Sequence, residues 1–156
     1  MPVSKRKLTQ PQGCTNFKLR QLLRRVARLY DLEMAPAGIK TTQFSMLSYL
    51  IRLGPVAPGE LARAMGIEAS TLTRNLRLLI EQGWAVQGPG PNARSRCIEI
   101  TTNGRAKQAE GKRRWRRAQL ELNRRLGEQQ IADLHVLLER GFACLAGTGD
   151  ELGDAH

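Results

Sequence analysis

The side chains best suited to chemistry in this sequence are concentrated in one short segment near its middle. They combine hydroxyl donors, an amide and two guanidinium groups, namely Ser70, Thr71, Thr73, Arg74, Asn75 and Arg77. Such groups hydrogen-bond to the base edges and phosphates of duplex DNA. Leu72, Leu76 and Leu79 recur among them at helical spacing, which predicts a helix with an apolar inner face. We therefore predict a recognition helix here.

The same polar face would also suit an ordinary amphipathic helix whose outer side is solvated. The context favours DNA. A shorter helical pattern from Pro58 to Met65 comes first, and a tight turn at Gly66 joins the two segments. Two helices joined in this way are typical of a helix-turn-helix. The formal net charge of +11 over 156 residues also favours a polyanionic partner such as duplex DNA.

A second set of basic residues stands beside a segment rich in glycine and proline. The turn predicted at positions 88–92 contains two glycines and two prolines, which exclude a helix. Positions 84–86 and 97–100 read as short strands on either side of it, so we predict a β-hairpin, or wing. A narrow minor groove favours inserted arginine. The predicted wing contacts are Asn92, Arg94 and Arg96.

A longer basic run extends from Gly104 to Arg117 and holds seven basic residues against a single acid, Glu110. Arg105 and Lys107 follow the wing directly, so we predict them as phosphate contacts. Positions 112–117 are interpreted as a solvated helix face, as charge runs usually are. Binding of an anionic ligand there is the alternative. The predicted apolar stripe of this helix is Ala106, Ala109, Trp115, Ala118, Leu122 and Leu126, with Trp115 in a dimer core.

Composition excludes several other classes of protein. Hydrophobic residues make up 41% of the chain, enough for a folded core, while aromatics at 4% supply few stacking platforms for single-stranded nucleic acid. We find no apolar run that could span a membrane and no signal peptide. The two histidines, His135 and His156, lie in no metal-ligand cluster, and no nucleophile and base are paired. We predict no enzyme, no metal and no cofactor.

The element pattern is four helices, a hairpin and two further helices, which predicts a mainly α fold with a small β-hairpin, of the α+β class. The first and the last two helices carry apolar stripes with few partners in so small a chain, and a second copy would bury them. The predicted regions are a mobile basic arm (1–13), dimerisation helices (14–38 and 105–146), a winged helix-turn-helix DNA-binding region (39–104) and a flexible tail (147–156).

These pieces, in this order, resemble the MarR family of winged helix-turn-helix transcription regulators. The resemblance rests on Phe17 to Asp31, the segment AGIKTTQFSMLSYL, Ser70 to Trp84 and Asn92 to Ala106. It implies a triangular homodimer, with a recognition helix in the major groove and a wing tip in the minor groove. One departure stands out. The family's wing usually carries an aspartate two residues before the arginine, whereas this chain has Asn92 before Arg94, which removes charge assistance from their hydrogen bond.

We predict a dimeric, sequence-specific regulator, a repressor released by a small-molecule effector that binds between the DNA-binding lobe and the dimer helices. Two recognition helices would read a pseudo-palindromic operator in double-stranded DNA. A non-specific architectural protein driven by charge is one alternative.

A thiol-based redox sensor is the other alternative, with Cys14 as its switch. Helix N-termini favour thiolates, and peroxide-sensing members of the family use a cysteine near this position. An unreactive cysteine is the competing interpretation. The three cysteines, Cys14, Cys97 and Cys144, are odd in number and widely spaced. They predict no disulfide framework and therefore a reducing cytoplasm.

Overall fold

The computed structural model describes residues 11–92 and 94–146. Most of the predicted basic arm, residues 1–10, and the predicted tail, 147–156, therefore lie outside the described residues. The fold class is confirmed, because the described chain is helical apart from one two-stranded hairpin. Its elements are α1 (Thr15–Met34), a 3-10 turn (Ala35–Ala37), α2 (Thr41–Leu53), α3 (Pro58–Met65), α4 (Ala69–Glu81), β1 (Ala85–Pro89), β2 (Arg96–Ile100), α5 (Thr102–Leu126) and α6 (Glu128–Leu145).

The hydrophobic core lies under α4. Leu72, Leu76 and Leu79 on its inner face are buried, as the spacing predicted. They belong to one cluster with Leu47 of α2, Leu61 of α3 and the hairpin. Burying a leucine side chain contributes about 1.5–3 kcal/mol relative to leaving it exposed. The core therefore holds α4 with its polar side turned to solvent.

The hairpin pairs its two strands antiparallel from Ala85 opposite Ile100 to Pro89 opposite Arg96. The predicted turn over positions 88–92 is therefore wrong at its start, because β1 continues to Pro89. A proline lacks the N–H donor, but an edge strand tolerates it, and β1 has no second neighbour in the described chain. Ile98 on the other strand is buried and bridges to Val56, which fixes the hairpin against the core.

The long helix α5 packs through small residues seven positions apart, Gly104, Gly111 and Ala118, which are all buried. The predicted apolar stripe is wrong in part, because Ala106 and Ala109 are exposed. Glycine allows the backbone of α5 to approach its neighbours closely. A Cβ atom on Gly111 would lie 2.9 Å from Cδ2 of Phe44.

Large apolar side chains remain exposed on the helices outside the core. The largest such residues on α1, α5 and α6 are Phe17, Leu19, Leu23, Leu32, Leu120, Val136, Leu137, Leu138 and Phe142. Scattered single leucines on a surface are ordinary, but extended exposed apolar areas mark interaction surfaces. None of the described helices is both long and apolar enough to cross a lipid bilayer.

One carboxylate on α5 makes the folding stability depend on pH. Hydrogen bonds from Arg124 and Arg125 lower the pKa of Glu121 from 4.5 to about 2. The depressed pKa means that this interaction stabilises the fold above about pH 4.5 and is lost as the pH falls towards 2.

We therefore expect Glu121→Gln to unfold with a shallower dependence of the thermal midpoint on pH between about pH 5 and pH 2. The effect should be small because both arginines are largely in water. Glu139→Gln, which removes a glutamate with no ion pair in the described chain, is the control. An identical pH dependence in the parent and the Glu121 variant would contradict this account.

Candidate nucleic-acid interface

The helix-turn-helix is built around one glycine. Gly66 ends α3 in the left-handed conformation, with φ of 62°, and its N–H donates to the carbonyls of Ala62 and Arg63. Glycine adopts this conformation without steric cost. The chain then turns sharply, and α4 begins at Ala69, with Glu68 at the N-cap position and no side-chain cap. The orientation of α4 therefore depends on the core beneath it and on this turn.

The predicted recognition residues lie on the outer side of α4. Ser70, Thr71, Thr73, Arg74 and Arg77 are exposed, while Asn75 is half-buried. Positions 70, 73, 74 and 77 are three or four residues apart, so their side chains project from one face. The structure thus brings together the hydroxyl and guanidinium donors that the sequence predicted. Asn75 and Thr71 lie on the flank of the same face.

The donors on this face differ in how freely they can engage a ligand. Thr73 Oγ1 donates to the Ala69 carbonyl at 2.8 Å, and Arg77 Nε pairs with Glu81 Oε1 at 2.7 Å. Arg74 has no hydrogen-bond or ion-pair partner within the described residues. Arg77 would have to leave an exposed, weak ion pair to bind elsewhere. Arg74 is therefore the guanidinium already available.

The wing tip is closed by a serine that the sequence analysis did not single out. The N–H and Oγ of Ser95 both donate to the Asn92 carbonyl at 2.9 Å, and the Asn92 N–H donates to Ser95 Oγ at 2.9 Å. The expected hydrogen bond between Asn92 and Arg94 is not found among the described residues. Asn92 therefore shapes the turn through its backbone, and Arg94 and Arg96 both remain exposed.

The two predicted phosphate contacts on α5 have different environments. Arg105 lies exposed in the first turn of the helix. Lys107 is half-buried, and its ammonium donates to the Ala37 carbonyl and to Glu110 Oε2, both at 2.9 Å. It also lies 5.6 Å from the centre of the Trp84 ring, within cation–π range. Because these partners lie within the protein, Lys107 is not available as a phosphate contact in this arrangement.

Further along α5, Lys112, Arg113, Arg116 and Arg117 are exposed, as expected for a solvated face. Trp115 does not await a partner subunit. Its ring stacks on Phe44 of the same chain, with centroids 6.2 Å apart, so its predicted place in a dimer core is wrong.

A joint between α4 and α5 was missed by the sequence analysis. Thr101 Oγ1 donates to the Gly83 carbonyl at 2.6 Å, and the Thr101 N–H donates to the Trp84 carbonyl at 3.0 Å. The same hydroxyl accepts from the Gly104 N–H at 3.0 Å. The signal in the sequence is a threonine three residues before a glycine at the start of a helix, the spacing of an N-cap and its N3 partner.

Cys14 lies exposed at the N-cap position of α1. Tyr30, the tyrosine matching the family's peroxide sensors, is 16 residues further along the same helix, about 24 Å at 1.5 Å per residue. Its hydroxyl instead donates to Gln119 Oε1 at 2.6 Å, and burial raises the pKa of Tyr30. The redox role of Cys14 stays a prediction. No metal-binding cluster of His, Cys, Asp or Glu occurs within the described ranges.

A cleft of about 560 Å³ opens where the DNA-reading helix meets the dimer helices. Its walls come from the end of α1, the start of α2 and the segment after α4. They combine polar and apolar groups: Asp31, Ala35, Gly38, Ile39, Lys40, Gln43, Gln82 and Trp84. A small ligand with both polar and aromatic parts would find hydrogen-bonding partners and an indole face there.

Comparison with known proteins assigns the family. A family model described as the MarR family matches residues 37–94, the region from α2 to the wing tip. The multiple antibiotic resistance protein MarR of Salmonella typhimurium is 30% identical over 115 residues, which cover 72% of this chain and 80% of that protein. The chain belongs to the MarR family of transcription regulators.

Solved structures of the MarR fold agree with the geometry. The Mycobacterium tuberculosis transcriptional regulator MOSR, in complex with DNA, is 31% identical with a TM-score of 0.71, covering 85% of this chain and 98% of that one. A variant of Escherichia coli MarR complexed with operator DNA has a TM-score of 0.74 at 24% identity, covering 80% and 91%. The second comparison supports the fold alone.

Proposed function

We propose that this MarR-family protein is a dimeric, sequence-specific DNA-binding transcription regulator that acts as a repressor. The observation that carries the proposal is the outer face of α4, where Arg74 stands exposed and unpartnered among the described residues on a helix fixed by a buried core. A guanidinium held in this way can bind guanine bidentately in the major groove. Arg94 and Arg96 would hold the wing against the backbone or the minor groove.

The dimer follows from the apolar faces of α1, α5 and α6. Burying them against a second copy would remove the largest exposed apolar side chains of the described chain from water. A two-fold dimer carries two recognition helices, so its operator is a pseudo-palindrome with half-sites about one helical turn apart. Its formal charge of twice +11 would speed association with DNA.

Release of DNA is assigned to a small molecule in the cleft beside Trp84. A ligand there would touch both the segment after the recognition helix and the turn between α1 and α2. It shifts the protein away from the DNA-binding arrangement only if it binds another arrangement more tightly. We place the regulator in the cytoplasm, where its DNA would be and where unpaired cysteines persist.

Mobility-shift assays on the protein's own promoter region test the proposal. At about 150 mM salt, we expect one genomic segment to be bound more tightly than random DNA of equal length by at least about 10³-fold. Equal binding to all sequences, with a steep salt dependence, would contradict the sequence-specific function and favour the charge-driven architectural alternative.

Two single substitutions separate reading from holding. Arg74→Ala should reduce discrimination against operators mutated at one base pair by about 1–3 kcal/mol, because a bidentate base contact is lost. Arg94→Ala should weaken binding to all sequences alike and lower the salt dependence by about one unit per contact. Titration of a set of single-base operator variants, at two salt concentrations, measures both effects. A uniform loss for Arg74→Ala would remove it from base reading.

A further inference from the structure

The ammonium group of Lys107 joins three separate segments of the chain. It donates to the carbonyl of Ala37 in the 3-10 turn and to Glu110 in its own helix, both at 2.9 Å. It also lies over the ring of Trp84, which follows the recognition helix. An ammonium has three N–H donors and no acceptor. Its contacts therefore tie α5 both to the turn after α1 and to the end of α4.

An ordinary surface ion pair would not produce this arrangement. Lys107 and Glu110 are three residues apart on a helix, a spacing that suits a solvated pair worth a few tenths of a kcal/mol. The lysine side chain, however, is only 23% exposed, and it reaches a carbonyl on a buried residue. A buried carbonyl without a partner costs stability, so the contact with Ala37 constrains where Lys107 can go.

The same tryptophan is held on its other side by the start of α5. Its carbonyl accepts from the Thr101 N–H, and a Cβ atom on Gly104 would approach that carbonyl closer than the 3.0 Å that real Cβ atoms keep. The joint therefore has little room to adjust. A change in angle between α4 and α5 would have to break the hydrogen bonds of Thr101 or displace Lys107.

We propose that Lys107 is a positioning residue that sets the angle of the recognition helix relative to α5, and through α5 the separation of the two recognition helices in the dimer. This inference rests on the proposed function. Helix α4 has 13 residues and is about 20 Å long. A rotation of about 5° at its end would move the far end by nearly 2 Å, more than base contacts tolerate. The joint lies beside the cleft proposed for the effector, with which it shares Trp84.

The test is a series of operators whose half-sites are moved apart or together by one and two base pairs. The parent should bind one spacing at least about 10-fold more tightly than its neighbours, because both half-sites must be engaged together. Lys107→Met removes the ammonium and retains the apolar stem. It should bind the best spacing several-fold more weakly, and its preference among spacings should shrink to less than about threefold. Lys107→Arg should keep part of the preference.

Lys112→Met is the matched control, because it removes the same charge from an exposed position of the same helix. It should keep the spacing preference of the parent. Glu110→Gln, which removes only the ion pair, serves as a second probe if Lys107→Met folds poorly. It should narrow the preference partially.

A Lys107→Met or Glu110→Gln protein with the parent's spacing profile would overturn the inference. So would a loss that is uniform across spacings with a lower salt slope, the signature of a phosphate contact. No spacing preference in the parent would instead contradict the two-fold operator of the proposed function.

Discussion

Gly104→Ala is expected to lower the thermal unfolding midpoint by about 6–12 °C, the equivalent of about 3 kcal/mol in a chain of this size. The added Cβ would overlap the Trp84 carbonyl oxygen and crowd Cγ1 of Ile100. Both neighbours are fixed, since the carbonyl accepts from Thr101 and Ile100 is buried. The helix α5 would have to move away from the segment that follows α4. Thermal unfolding at equal protein concentration measures the effect.

The same substitution at an open position gives the control. Gly59 lies in α3, and a Cβ atom there would meet nothing within 4 Å. Alanine is favoured over glycine inside a helix by about 0.5–1 kcal/mol, so Gly59→Ala should leave the midpoint unchanged or raise it. If Gly104→Ala were as stable as the parent, α5 and the end of α4 would not be in tight contact.

Leu23→Glu is expected to convert the dimer to a monomer and to reduce affinity for the full operator at least about 100-fold. Leu23 is 66% exposed on α1, so the substitution disturbs little within one chain. In a dimer that buries this face, it would place an unpaired carboxylate in an apolar contact. A monomer engages one half-site and loses the gain from binding two together. Sedimentation measures the oligomeric state, and DNA titration measures the affinity.

Leu53→Glu is the matched control, since it changes the net charge equally at an exposed leucine of α2, outside the three end helices. It should remain dimeric with an affinity near that of the parent. A Leu23→Glu protein that is still dimeric would show that this part of α1 lies outside the interface. A monomeric variant with full operator affinity would contradict the two-half-site mode of binding.

The sequence predicted the outer face of α4 because that prediction is local. Once leucines recur at helical spacing, the intervening residues must project from the other side, and Ser70 and Arg74 do so. It erred at Pro89, since glycine and proline indicate a turn but do not show where strand pairing ends. It also took Trp115 for an interface residue. Helical spacing shows that a side chain faces inward, without showing which neighbour it meets.

Lys107 illustrates the limit of sequence analysis for the site itself. In a run of basic residues after the wing, its type and position indicate a phosphate contact, as they do for Arg105 two positions earlier. The two side chains project about 200° apart around the helix. Only packing of α5 against the 3-10 turn and Trp84 makes one of them exposed and the other a link between segments.

The sequence alone therefore determined the family, the order of elements and the residues offered on the recognition helix. These properties depend on residue type and on spacing over a few turns. The tertiary structure alone decided which basic residues are available to a ligand, how Ser95 closes the wing and how Gly104, Thr101 and Lys107 join α4 to α5. Those contacts connect residues up to 70 positions apart, and close packing, which no local pattern encodes, determines which of them form.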